Sequence, residues 1–178
     1  HPNINLRCGS THPAALPAGV VEAEADLGIA FDGDGDRALL VDAQGEVRDG
    51  DAMLYLWARA LFAEGHLDPP AIVATSMSNL GLEQALRASG IAVVRCDVGD
   101  RAVMETMREQ GIKLGGEQSG HLVHALTTST GDGLVTALTL AHVVKAAGMP
   151  LAQLLAGFHR FPQVLRNVRV REKRPFAE

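Results

Sequence analysis

The stretch Gly-Ile-Ala-Phe-Asp-Gly-Asp-Gly-Asp-Arg at residues 28–37 places three carboxylates at alternate positions between two apolar runs. The apolar runs, 27–31 and 38–41, predict two strands that enter and leave a short loop. Such a loop holds Asp32, Asp34 and Asp36 close together, where their mutual repulsion is costly unless a cation lies among them. Oxygen ligands without nearby histidine or cysteine are the donors that Mg²⁺ prefers, so the stretch predicts a magnesium site.

Two other interpretations of this loop are an EF-hand calcium site and a surface turn without a ligand. An EF-hand loop that begins at Asp32 needs glycine at its sixth position and glutamate at its twelfth, where this sequence has Arg37 and Ala43. The EF-hand is therefore excluded. Asp-Gly pairs are common in turns, so a turn without a ligand stays open, although the apolar flanks and Arg37 favour a site.

Length and composition limit the class of protein. The chain has 178 residues, of which 47% are hydrophobic, enough for one domain with a core or one domain with part of another. Its net charge of −5 argues against nucleic-acid binding, and no apolar run is long enough to predict a membrane span. Two isolated cysteines, Cys8 and Cys96, favour a reducing, cytoplasmic setting. The abrupt start at His1 suggests a piece of a longer protein.

Strands and helices alternate from residue 51 to 148, which predicts an α/β layered domain. The predicted helices are 51–64, 80–89, 100–110 and 130–147, with a shorter one after Pro150, and the predicted strands are 71–74, 91–95, 112–114, 121–123 and 163–170. Polar, glycine-bearing stretches follow the strands, and ligands of open α/β sheets gather at such points. Four of these stretches predict one polar cleft: 32–37, 75–79, 97–101 and 115–120.

The loop at 32–37, together with Gly-Glu-Gln-Ser-Gly-His at 116–121, resembles the α-D-phosphohexomutase superfamily. Further stretches narrow the resemblance to its bacterial phosphoglucosamine mutase family. These stretches are Asn3–Asn5 with Cys8–Pro13, Met77–Glu83, Val98–Arg101, Thr130–Gly133 and Pro162–Val168. The resemblance covers essentially the whole chain.

Members of this superfamily have four domains around one cleft. The resemblance implies that residues 1–48 are the C-terminal part of domain 2, residues 49–160 are domain 3, and residues 161–178 are a strand and linker toward domain 4. It also implies a phosphohexomutase-type layered fold, a mixed sheet with helices on its faces, preceded by part of a second similar domain. The sequence contains no match to the phosphoserine loop of domain 1 or the phosphate-binding loop of domain 4. We therefore expect a fragment that lacks the catalytic serine.

The resemblance implies an isomerase that interconverts glucosamine 6-phosphate and glucosamine 1-phosphate through a phosphoserine enzyme and a 1,6-bisphosphate intermediate, in amino-sugar and cell-wall precursor synthesis. Asp32, Asp34 and Asp36 correspond to its Mg²⁺ ligands. The implied partners are a phosphorylated amino sugar and the missing domains 1 and 4, with no nucleic acid and no membrane. The residues implied to contact substrate are Arg37, Glu117, Ser119, Asp100, Arg101 and His121.

Simpler interpretations remain for some of these residues. Asp100 could serve as a helix N-cap, Ser78 or Asn79 could cap the next helix, and His121 could be a structural histidine at the start of a strand. A metal role for His121 with His124 is improbable, because two residues of one short strand make no complete site. The phosphomannomutase/phosphoglucomutase branch and a non-catalytic Mg²⁺- and sugar-binding module stay open as alternative functions.

Overall fold

The computed structural model describes residue 4 and residues 6–166. Its helices are α1 (Leu16–Glu22), α2 (Gly50–Ala63), α3 (Leu80–Ala88), α4 (Asp100–Gln110), α5 (Gly133–Ala147) and α6 (Leu151–Leu154), with a 3₁₀ turn at Pro13–Ala15. Its strands are β1 (Leu27–Phe31), β2 (Ala38–Asp42), β3 (Val47–Arg48), β4 (Ala71–Thr75), β5 (Ala92–Cys96), β6 (Leu114–Gly116) and β7 (Leu122–His124). No helix in the described part of the chain is both long and apolar enough to cross a membrane.

The first sheet is an antiparallel hairpin extended by a short third strand, in the order β1-β2-β3. Phe31 pairs with Ala38 at the end of the β1–β2 ladder, so the loop 32–37 closes directly on a paired rung. The turn after β2 is held by Asp42, whose Oδ1 accepts hydrogen bonds from the backbone N–H groups of Gln44 and Glu46. The two strands predicted on either side of the loop 32–37 are confirmed, whereas β3 was not predicted.

The second sheet has the order β5-β4-β6-β7, with β4 parallel to β5 and β6 and with β7 antiparallel to β6. Alternate residues of β4 point to opposite faces. Ile72 and Ala74 belong to the main core with residues of α2 and α3, while Val73 packs with Val103 and Met107 of α4 on the other face. The predicted α/β fold, a mixed sheet with helices on its faces, is confirmed.

Helix α2 joins the two sheets. Eight of its first ten positions carry apolar, aromatic or small side chains, and the whole stretch from Gly50 to Ala58 is buried. It contacts β2 of the first sheet and β6 of the second. Leu40, Leu54 and Leu114, from these three elements, are each fully buried in one continuous core. The loop between β1 and β2 is therefore fixed relative to the loops of the second sheet.

Helix ends follow the sequence closely. The predicted helix 100–110 is confirmed at both ends, and Gly111 and Gly148 each terminate a helix in the left-handed conformation. The predicted start of the loop 115–120 was wrong. Gly115 and Gly116 pair with β4 as part of β6, so the loop begins at Glu117. Residues 163–166 of the predicted strand 163–170 are not in a strand, and the rest of it lies outside the described residues.

Candidate functional site

The three aspartates of the loop 32–37 converge. One carboxylate oxygen from each of Asp32, Asp34 and Asp36 lies within 4.8 Å of the others. The side chain of Asp32 is 7% exposed, that of Asp36 is 33% exposed, and Asp34 faces solvent. The tertiary structure thus brings together three acceptors and leaves one side of the cluster open.

Arg37 lies beside two of these carboxylates. Its Nε is 3.6 Å from Asp32 Oδ2 and 3.7 Å from Asp36 Oδ1, and its backbone N–H donates to Asp32 Oδ1 at 3.1 Å. Asp36 Oδ1 is buried and has no hydrogen-bond partner among the residues that the structure describes. An unpartnered buried oxygen, in a set of carboxylates with incomplete charge compensation, fits a hard divalent cation such as Mg²⁺.

The loop 32–37, called the metal loop because it is the predicted cation site, is held in place by backbone hydrogen bonds from other parts of the chain. Gly133 N donates to Gly35 O at 2.8 Å, and a Cβ on Gly133 would lie 2.6 Å from Arg37 O. Ala38 N donates to Gly120 O at 3.2 Å, which joins the metal loop to the loop after β6. Asp132 caps α5 by accepting from Val135 N. The start of α5 therefore depends on glycine at residue 133 to approach the metal loop.

Glu117 and Ser119 lie on the turn between β6 and β7. Gly120 N donates to Glu117 O, and Glu117 N donates to His121 O at 3.0 Å in the same turn. The Glu117 carboxylate accepts from Gly99 N at 3.1 Å through Oε1, and Ser119 Oγ lies 3.4 Å from Oε2. Glu117 and Ser119 thus lie side by side, with the serine hydroxyl next to the other carboxylate oxygen.

The predicted site residue His121 is buried beside Asp36. Its side chain is 5% exposed, and Nδ1 makes a 3.0 Å hydrogen bond with Asp36 Oδ2. Nε2 is buried without a partner, beneath Gly131, where a Cβ would lie only 2.4 Å away. His121, the residue before β7, therefore contacts the loop 32–37 from its buried side, as the simpler interpretation of a structural histidine at the start of a strand expected, and a direct contact with substrate stays a prediction.

Asp100 and Arg101 are exposed at the start of α4. The helix N-cap is Gly99, with φ 126°, so Asp100 is not the cap. Arg101 Nε contacts Glu105 at 2.7 Å, and this partner raises the pKa of Arg101. The backbone of this loop reaches Glu117 through Gly99 N. The loop 97–101 therefore borders Glu117, while the roles of Asp100 and Arg101 stay predictions.

Asn79 and the Cys8–Pro13 stretch, which the sequence also singled out, each make a defined hydrogen bond. Asn79 is buried and caps α3 by accepting from Gly81 N at 2.9 Å, which confirms the simpler interpretation of this residue. Ser10 N donates to Phe31 O at 2.9 Å, so the Cys8–Pro13 stretch lies against the entrance of the metal loop.

Sequence reasoning missed Asp51, a fully buried carboxylate in the first turn of α2. Burial raises the pKa of the Asp51 carboxyl above its ordinary value; a hydrogen bond from Asn79 N–H opposes the rise and nearby Asp49 adds to it. The alternation of Asp49, Gly50 and Asp51 was the only signal in the sequence, and it indicated no more than a helix start. Asp49 is in fact the N-cap, accepting from Ala52 N.

The sequence of this chain matches a known family and curated relatives. A family described as phosphoglucomutase/phosphomannomutase, alpha/beta/alpha domain III, matches residues 49–161. The chain is 51% identical over 171 residues to phosphoglucosamine mutase from Bacillus subtilis (strain 168). That match covers 96% of this chain and 38% of the relative, so the chain spans well under half the length of the curated relatives it matches.

Solved structures share the fold. A phosphoglucomutase/phosphomannomutase family protein from Burkholderia thailandensis aligns with a TM-score of 0.74 at 27% identity, over 85% of this chain and 32% of that chain. Aspergillus fumigatus N-acetylphosphoglucosamine mutase, solved in complex with GlcNAc-6P and magnesium, aligns with a TM-score of 0.66 at 19% identity, over 89% and 38% of the two chains. The second likeness shows a common fold alone.

Proposed function

Because the chain belongs to the phosphoglucomutase/phosphomannomutase family, we propose that it supplies the metal-binding and sugar-binding loops of a phosphoglucosamine mutase. The whole protein interconverts glucosamine 6-phosphate and glucosamine 1-phosphate in the cytoplasm, through a phosphoserine and a 1,6-bisphosphate. The phosphoserine loop and a further phosphate-binding loop come from other parts of a longer polypeptide. In this proposal residues 1–48 complete domain 2, residues 49–160 form domain 3, and residues 161–178 lead toward domain 4.

One observation carries the proposal: the carboxylates of residues 32–36 and the Glu117–Ser119 turn are hydrogen-bonded into one unit. The contacts are His121 Nδ1 with Asp36 Oδ2 and Ala38 N with Gly120 O. A phosphoryl-transfer site on a sugar needs a metal position and a sugar position at a fixed separation, because its catalysis is mostly positioning and charge neutralisation. The identity of 51% to a phosphoglucosamine mutase supports the choice of reaction.

Asp32, Asp34 and Asp36 would hold the Mg²⁺, which supplies neutralising charge next to the transferred phosphoryl group. Arg37 adds a fixed positive charge beside the same carboxylates and presents a planar set of donors to phosphate. His121 orients Asp36 through its Nδ1 hydrogen bond. A histidine in this supporting position typically fixes the geometry of the ligand that it contacts.

Glu117 and Ser119 would bind ring hydroxyls of the sugar. A carboxylate accepts from two neighbouring hydroxyls, and a serine hydroxyl donates or accepts. Gly99 N fixes the position of Glu117 Oε1. The Oε2 atom is then already oriented, so binding of the sugar loses less side-chain entropy at this residue. The bisphosphate intermediate has to reverse its orientation between the two half-reactions. The protein therefore needs hydrogen bonds that form in both orientations, and hydroxyls near the centre of the sugar can make them. Asp100 and Arg101, at the neighbouring helix start, would contact the same sugar or its phosphate.

The test is the rate of the complete protein that carries this chain, with a bisphosphate activator and Mg²⁺, on three sugar phosphates. We expect the highest kcat/KM with glucosamine 6-phosphate. A preference for mannose or glucose phosphates would assign the protein to the phosphomannomutase/phosphoglucomutase branch. Binding of Mg²⁺ and sugar without turnover would indicate a non-catalytic module. The 178-residue chain alone should show no mutase activity, since its sequence has no match to the phosphoserine loop.

A further inference from the structure

The Asp51 carboxylate is completely buried, yet no part of the metal cluster or of the Glu117–Ser119 pair contacts it directly. Its Oδ2 accepts two hydrogen bonds, from Asn79 N at 2.7 Å and from Gln118 Nε2 at 3.0 Å. A buried carboxylate is costly unless donors compensate it. These two donors belong to different loops, so one oxygen atom joins them.

The turn that carries Glu117 is attached to the start of α2 by its backbone as well. Gly50 N donates to Gln118 O at 3.0 Å. A Cβ on Gly50 would lie 2.0 Å from Glu117 O, so glycine is required for this approach. Gln118 is therefore held by its carbonyl at Gly50 and by its side chain at Asp51, while the side chains of its two neighbours, Glu117 and Ser119, contact each other.

The second donor to Asp51, Asn79, connects it to a segment near the C-terminal end of the described residues. Asn79, whose N–H binds Asp51, also holds the backbone of Phe161: Asn79 Nδ2 donates to Phe161 O at 2.8 Å, and Phe161 N donates to Asn79 Oδ1 at 2.9 Å. Gln163 extends the contact, since its Oε1 lies 3.2 Å from Asn79 Nδ2 and its Nε2 donates to Met77 O. The segment 161–163 is thus fastened to the loop that Asp51 anchors.

We propose that Asp51 is a positioning residue that fixes the turn 117–120 through Gln118 and connects it, through Asn79, to the segment 161–163. This inference rests on the proposed sugar-binding role of Glu117 and Ser119 for its consequence in catalysis. The physical cause is that a single buried acceptor satisfies both loops, so loss of that acceptor releases both, whereas loss of Gln118 releases only the turn.

The experiment measures hydrogen–deuterium exchange of backbone amides in the full 178-residue chain and in four variants. Gln118→Leu removes one donor and keeps a side chain of similar length. Asp51→Ala removes the shared acceptor, and Asp51→Asn keeps an oxygen that both donors can reach. Gln44→Leu is the matched control, because Gln44 is exposed in the turn after β2.

We expect Gln118→Leu to raise exchange over 116–121 about tenfold, the usual effect of one lost buried hydrogen bond, and to leave 158–164 unchanged. Asp51→Ala should raise exchange in both segments, Asp51→Asn should restore both, and Gln44→Leu should change neither. Exchange over 116–121 that is unaffected by Gln118→Leu would overturn the proposal. So would an Asp51→Ala increase that extends equally through β4 and β5, because that indicates general loss of the fold.

A second measurement links positioning to the sugar. In the complete protein, Gln118→Leu should raise KM for glucosamine 6-phosphate about tenfold and leave Mg²⁺ affinity unchanged, since Gln118 contacts no member of the Asp32–Asp36 cluster. An unchanged KM would overturn the catalytic consequence. Failure of the wild-type protein to bind the sugar phosphate would instead contradict the proposed function, and the exchange data would still decide the role of Asp51.

Discussion

Replacing Asp34 by asparagine should have opposite effects on stability with and without Mg²⁺. Without metal, Asp34 repels two carboxylates whose oxygens lie within 4.8 Å. Arg37 compensates Asp32 and Asp36, whereas no cation is recorded within ion-pair distance of Asp34 among the described residues. Asp34→Asn removes this repulsion and takes away a ligand. The variant should therefore be more stable than wild type in EDTA and less stable in excess Mg²⁺.

The size of the effect follows from the distance. At 4.8 Å in a water-like dielectric, each pair of charges repels by about 1 kcal/mol, and Asp34 takes part in two pairs. Screening at physiological ionic strength reduces the total to about 1 kcal/mol, which corresponds to a rise of roughly 2–4 °C in Tm for a chain of this length. Mg²⁺ at about a hundred times its Kd should stabilise the wild type by about 2.7 kcal/mol, and the variant by much less.

The assay is thermal unfolding of the 178-residue chain in EDTA and in a series of Mg²⁺ concentrations. Asp26→Asn is the matched control, because Asp26 is exposed at the start of β1, away from the cluster. It removes the same charge and should keep the full Mg²⁺-dependent rise in Tm. The same rise in Asp34→Asn as in wild type would refute the metal assignment, and a lower Tm in EDTA would refute the repulsion that underlies it.

Three further changes test the remaining parts of the site. Glu117→Ala in the complete protein should weaken binding of glucosamine 6-phosphate about tenfold or more without changing Mg²⁺ affinity. Isothermal titration calorimetry measures both, with Glu109→Ala, an exposed glutamate of α4, as the control; a lost metal site would contradict the sugar assignment. His121→Ala should weaken Mg²⁺ binding roughly 10- to 100-fold, whereas His142→Ala, on the exposed face of α5, should not; equal Kd values for both variants would show that the contact with Asp36 is incidental. Asp51→Asn should change how stability depends on pH. Burial raises the pKa of Asp51 in the folded state above 3.8, the value of an unperturbed carboxyl. The wild type therefore loses stability as the pH rises above that value, and the variant, which has no carboxyl at this position, lacks this loss. Urea unfolding between pH 4 and 7 measures it, and parallel curves would contradict the raised pKa.

The layered fold was accessible from local patterns, because it depends on residues close together in the chain. The apolar runs on either side of Asp32–Arg37 predicted β1 and β2, and the glycine after Gln110 predicted the end of α4; both agree with the structure. The boundary of β6 was missed because Gly115 and Gly116 look like loop residues. Their strand conformation comes from pairing with Val73 and Ala74, which lie far away in sequence.

In the candidate site, too, some features were predicted from the sequence and others are visible only in the structure. The alternating aspartates were predicted to bind a cation from residue type and spacing, whereas Glu117 and Ser119 were assigned to the sugar by resemblance to the superfamily, and both assignments stay predictions. The positions of His121 and Asp51 were not accessible, because a polar side chain in the sequence carries no sign of which face it occupies. Burial turned His121 toward Asp36 and enclosed Asp51 between two loops.

By itself, the sequence determined which groups this protein can offer to a cation and a sugar, together with the strand and helix order that presents them. Only the tertiary structure decided how those groups are held. Hydrogen bonds between residues distant in the chain join the metal loop to the turn 117–120 at His121 and Gly120. The physical reason is that each buried polar atom needs a partner, and the identity of that partner depends on packing.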